Sequence, residues 1–103
     1  MASSTNGEPL YRIELSGAVS QKLRNLLRRA IWEGRGPQFR EALRIIFHRL
    51  AHDPNELGEP LYRLYALDLR VRSVAVLPLA VHFAVHEHRR LVFIKSVDLL
   101  SSQ

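Results

Sequence analysis

The spacing of apolar residues changes once in this chain, at Asp53-Pro54-Asn55-Glu56-Leu57-Gly58-Glu59-Pro60, from a helical repeat of about 3.6 residues to a strand repeat of two. Two amphipathic helical stripes come before the change and alternating segments come after it. That order restricts the fold to helices layered on a sheet, the α+β class.

Before the change, Tyr11, Ile13 and Leu15 alternate with Arg12 and Glu14 and predict a short half-buried strand ended by Ser16-Gly17. Val19, Leu23, Leu26, Leu27, Ala30 and Ile31 then share one helical stripe, with Ser16 placed as N-cap and Gly34 and Gly36 as the stop. Lys22, Arg24, Arg28 and Arg29 fall on the wet side of that helix. Pro37 suits the first turn of a second helix, whose stripe is Phe39, Ala42, Leu43, Ile46, Phe47, Leu50 and Ala51. The short connection from Glu33 to Gly36 predicts an antiparallel helical hairpin, with Trp32 anchoring its packing.

After the change, Tyr62, Leu64 and Ala66 alternate with Arg63 and Tyr65 in a first strand. A strand over Arg70 to Leu77 follows, with Pro78 at a bulge, an edge or a strand start. Leu79 to Val85 and Leu91 to Val97 then form an antiparallel hairpin turned by His86-Glu87-His88-Arg89.

With 103 residues and 47% hydrophobic content, the chain builds one core without staples. The expected organisation is a disordered leader over residues 1–9 and one domain over residues 10–100. The absence of cysteine excludes disulfides, thiolate metal sites and cysteine nucleophiles. No apolar run has signal-peptide or membrane-spanning length, so the expected location is the cytoplasm, with no membrane partner.

Fifteen Lys and Arg oppose ten Asp and Glu, a formal charge of +5, and 13 of the 15 bases are Arg. This balance favours an anionic partner, either nucleic acid or an acidic protein segment. No Gly-rich phosphate cradle, nucleophile elbow or carboxylate pair is present. The pairs His48/His52 and His86/His88 have metal-ligand spacing but lack a third ligand, so no metal and no cofactor are expected.

One strand, a helical hairpin, a Pro-Gly loop and a meander, in this order and length, resemble the RelE/ParE toxin superfamily of plasmid-stabilisation and other toxin–antitoxin modules. Leu50, Pro54, Gly58 and Leu61 match its helix-to-strand loop, and the segments Leu79 to Val85 and Leu91 to Val97 match its central hairpin. The resemblance covers about residues 11 to 100. It implies a β-α-α-β-β-β fold with the hairpin packed on an antiparallel sheet, and a toxin neutralised by an antitoxin. The target would be ribosome-bound mRNA, cleaved without a metal, or DNA gyrase.

Cleavage by attack of a ribose 2′-hydroxyl needs a base, cations for the phosphorane and an acid for the leaving oxygen. By position the resemblance offers Arg63, with Tyr65 on the same strand face; apart from the resemblance, His82 and His86 share a face of one strand and suggest a replacement site of Arg63, Tyr65, His82 and Arg72. The chain departs from the nuclease pattern at Ala80 and over Val97 to Gln103, where an arginine and a later basic residue with Tyr or His are usual. Those departures favour the gyrase branch or a member that has lost activity. The alternatives are a protein-interaction domain, including a homodimer through the helical hairpin, and a small basic nucleic-acid-binding module.

Overall fold

The computed structural model describes residues 10–101, and the leader expected over residues 1–9 lies outside them. The chain is α+β: strand β1 (Arg12–Leu15), helices α1 (Gly17–Trp32) and α2 (Gly36–His52), then strands β2 (Glu59–Leu64), β3 (Leu69–Val76), β4 (Leu79–His86) and β5 (Leu91–Leu99). Short 3₁₀ turns precede β2 at Pro54–Glu56 and follow it at Tyr65–Leu67.

The helices start and stop for local reasons. Ser16 Oγ accepts the Val19 N–H at 3.1 Å, the N-cap that the sequence predicts. Pro37 sits in the first turn of α2, and Gly34, at φ 75°, takes the left-handed conformation that turns the chain between the helices. Arg35 fastens this turn to the sheet, donating from Nη1 to the Leu100 carbonyl at 2.7 Å. Its second contact, with Glu33, holds that carboxyl below the usual glutamate range.

The sheet order is β1-β5-β4-β3-β2. Two expectations are corrected here. Four strands follow the hairpin, as the residue pattern predicts, rather than the three of the β-α-α-β-β-β order that the resemblance implies, and the sheet is mixed rather than antiparallel, because β1 pairs parallel to β5 with Ile13 opposite Val92. The cause is topological: the meander leaves β5 with a free side, and the two helices provide the crossover that a parallel pairing requires.

Register fixes two faces. Val74, Val81 and Val97 form one cross-strand row, and Phe83 and Ile94 belong to the next; both rows face the helices. Leu79, Val81, Phe83, Val85, Val92, Ile94 and Val97 pack there with Leu26, Ala30, Phe39, Ala42, Ile46 and Leu50 in one core. Two residues at the end of α1 depart from expectation. Ile31 is half exposed, and Trp32 is 89% exposed rather than a packing anchor, since it lies one residue past the end of the stripe on the last turn of α1.

Candidate functional site

The face of the sheet turned away from the helices carries the side chains that alternate with the core. Across it runs a row in which Glu59 faces Ser73, Ser73 faces His82, and His82 faces Ser96. The next row is Tyr62, Val71, Ala84 and Phe93. Between the two rows the β4–β5 register slips: His82 pairs with Ser96 and Phe83 with Ile94, leaving Lys95 as the extra residue of a bulge.

Lys95 donates from Nζ to the Tyr62 hydroxyl at 3.1 Å, with the ammonium 5.6 Å from the ring centroid. These residues belong to β5 and β2, three interstrand steps of about 4.8 Å apart, so they reach towards each other over β4 and β3. Val71 and Ala84 lie in the path of this bridge. That accounts for their burial to 2% exposure although neither belongs to the helix-facing core. Beside the bridge a cavity of about 490 Å³ is lined by Gly58, Glu59, Ser73, Ala80 and His82.

The loop entering β2 is held against β3 from the other side. Gly58 has φ 69°, and Arg72 donates from Nε to the Leu57 carbonyl at 2.9 Å and from Nη2 to the Gly58 carbonyl at 3.1 Å. This guanidinium is part of the scaffold that positions β2.

The sequence-predicted set of Arg63, Tyr65, Arg72 and His82 is split by the sheet. Arg72 faces Phe83, while Arg63 faces Arg70, which faces the buried Val85, so all three arginines lie on the helix side. His82 lies on the open side with Ser73. Arg63 and Tyr65 do meet, with the guanidinium 5.2 Å from the ring centroid, but β2 ends at Leu64 and Tyr65 belongs to the 3₁₀ turn. Their contact comes from that turn rather than from a shared strand face. Arg63 Nη2 lies 4.0 Å from Asp68 Oδ1, Arg70 Nη2 3.2 Å from Glu87 Oε1, and His88 Nε2 3.4 Å from Asp68 Oδ2.

Sequence reasoning missed Lys95 and Tyr62 as a pair. The one signal was the interrupted alternation around Lys95, which a bulge requires; the arch to Tyr62 depends on pairings that no local pattern encodes. Elsewhere, His48 and His52 stack at 4.1 Å, and His52 Nδ1 meets the His48 carbonyl oxygen at 2.8 Å. Among the described residues no three His, Asp or Glu side chains gather as a metal ion would need. No helix among them is long and apolar enough to cross a membrane.

What the open face can do chemically follows from its donors. A histidine supplies an acid or base, a lysine a positive charge and a phenol a second proton donor, and His82, Lys95 and Tyr62 are all exposed. No protein-family model and no curated protein matches the chain.

Proposed function

We propose that the chain is the toxin-type component of a bacterial toxin–antitoxin module of the RelE/ParE kind, acting in the cytoplasm on ribosome-bound mRNA through the open face of its sheet. The observation that carries this reading is the grouping of His82, Lys95 and Tyr62 on one face of the sheet that no described element covers. The order of elements, a strand and helical hairpin ahead of a meander, supports it.

In this reading His82 takes the proton of a ribose 2′-hydroxyl as its oxygen attacks the adjacent phosphorus. Lys95 stabilises the charge that builds on the phosphorane oxygens. Tyr62, whose oxygen accepts from Lys95 and whose own proton is therefore free to be given, protonates the departing 5′-oxygen. The products are a 2′,3′-cyclic phosphate and a 5′-hydroxyl. Ser73 and Ser96 flank His82 and orient the backbone of the substrate.

The test is induction of the chain alone in a bacterial culture beside His82→Ala, Lys95→Ala and an empty vector, with a cell-free translation of a defined mRNA. Growth arrest relieved by either substitution, with mRNA cut only during translation, is the expected result. Arrest with intact mRNA and blocked DNA supercoiling would move the target to gyrase, and unimpeded growth with soluble protein would leave an interaction domain.

A further inference from the structure

We propose that β1 is a dimerisation edge: two copies of the chain pair antiparallel through Arg12–Leu15, centred on Ile13, and join their sheets into one. The inference concerns the border of the sheet opposite β2 and stands without the reading of the open face.

β1 is the outermost strand on its side and pairs with β5 alone. In a parallel ladder alternate residues turn their main-chain groups to the neighbouring strand. Arg12 does so, donating its N–H to the Arg90 carbonyl at 2.9 Å, and Glu14 follows two residues on. The N–H and C=O of Ile13 and the N–H of Leu15 therefore point to the free edge. Natural sheets guard such edges with proline, bulges and charge. β2, the other edge, carries Pro60 and a register slip beside it, whereas β1 has no proline and an unbroken register.

The order of charges selects the partner. Arg12 and Glu14 are both exposed and meet each other at 3.0 Å, while Ile13 and Leu15, which alternate with them, pack against the core. Antiparallel pairing with Ile13 opposite Ile13 puts Arg12 of each copy against Glu14 of the other, so both cross-strand charge pairs are of opposite sign. Ile13 is also the residue whose N–H and C=O both point outwards, and the same alignment makes it the hydrogen-bonded pair on the two-fold axis. Charge and main chain thus choose one register. In it Tyr11 falls opposite Leu15, and Leu10, 59% exposed, opposite Ser16. An acidic strand would meet Arg12 and be repelled by Glu14, and a basic strand the reverse. Nucleic acid would leave the main-chain edge without partners. The two-fold axis crosses the sheet, so the open faces of both copies end on the same side. β1 is only 4 residues long, so the association is weak and concentration-dependent.

The test is sedimentation velocity of the full chain from about 1 µM to about 1 mM, where a reversible monomer–dimer equilibrium is the expected result. Arg12→Glu and Glu14→Arg should each weaken it by about ten-fold or more, because each turns both opposite-charge pairs into like-charge pairs. The double variant Arg12→Glu/Glu14→Arg should restore it. An equimolar mixture of the two single variants should form a mixed dimer, although neither variant pairs well with itself. Arg63→Gln, on the other edge, should leave the equilibrium unchanged. Both reversed positions are exposed, and circular dichroism of each variant separates folding from association. A chain that stays monomeric to the highest concentration overturns the proposal. A dimer indifferent to both reversals overturns it in favour of another surface, such as the helical hairpin. Association lost in the single variants and regained in neither the double variant nor the mixture overturns the two-fold register.

Discussion

Phe83→Ala is expected to lower the stability of the chain by about 3–5 kcal/mol, the cost of emptying a large core position that cannot collapse. Phe83 is 0% exposed on β4, the middle strand of the five, where it packs among residues from both helices. A domain of this size has about 5–15 kcal/mol in total, so the variant should sit at the margin of folding. The neighbouring His82→Ala should cost no more than about 0.5 kcal/mol, since that side chain stands on the open face. Chemical denaturation of the two variants measures the polarity of β4. A one-residue slip in strand register would exchange the two results, because it turns every side chain to the opposite face. The same pair protects the functional test: His82→Ala that is folded but harmless speaks about chemistry, not about stability.

The elements that were legible in the sequence are those governed by neighbours in the chain. The stripe from Phe39 to Leu50 and the cap at Ser16 depend on contacts within four residues, and both occur where the spacing places them. The strand from Arg70 to Leu77 is found at Leu69–Val76, and the hairpin of β4 and β5 turns where the polar residues 87–90 lie. The parallel pairing of β1 with β5 joins residues about eighty positions apart, and nothing in the pattern of either strand announces it. β2 was misjudged for a related reason. Its alternation predicts a strand reaching Ala66, yet as an edge strand it is exposed throughout and gives way to a 3₁₀ turn at Tyr65.

The candidate site was less legible than the fold because its composition depends on which face each strand presents. Spacing put Arg63 and Tyr65 together and left His82 to be joined to them, but the β2–β3–β4 register puts a sheet between Arg63 and His82. Lys95 gained its place on the open face through a bulge, which shifts the count by one residue. A sequence without aligned pairings predicts which residues alternate, and leaves open which alternate side meets the helices.

Gly58→Ala is expected to cost about 3 kcal/mol, combining left-handed backbone strain with a steric clash that only backbone movement can relieve. The backbone of Gly58 has φ 69°, and a Cβ there would lie 2.0 Å from the Ser73 carbonyl oxygen and 2.9 Å from Val74 Cβ. Ser73 belongs to β3, whose pairing with β4 on its other side prevents it from retreating. The loop must therefore move, and the Arg72 hydrogen bonds to Leu57 and Gly58 would go with it. Because β2 pairs with β3 alone, this displacement should free the edge strand while the helices and the central strands stay packed. Hydrogen exchange should show lost protection at residues 62–64 well before any loss at Val81 or Val92, and the melting temperature should fall by roughly 12–24 °C at about 4–8 °C per kcal/mol. A shift of two degrees or less would mean that the Gly58 loop stands clear of β3. Tyr62 would leave Lys95 in the same movement, so the bridge over Val71 and Ala84 would open. The substitution then takes the Tyr62 phenol from the open face and leaves His82 and Lys95 on it, whereas His82→Ala removes the imidazole and leaves the phenol in place.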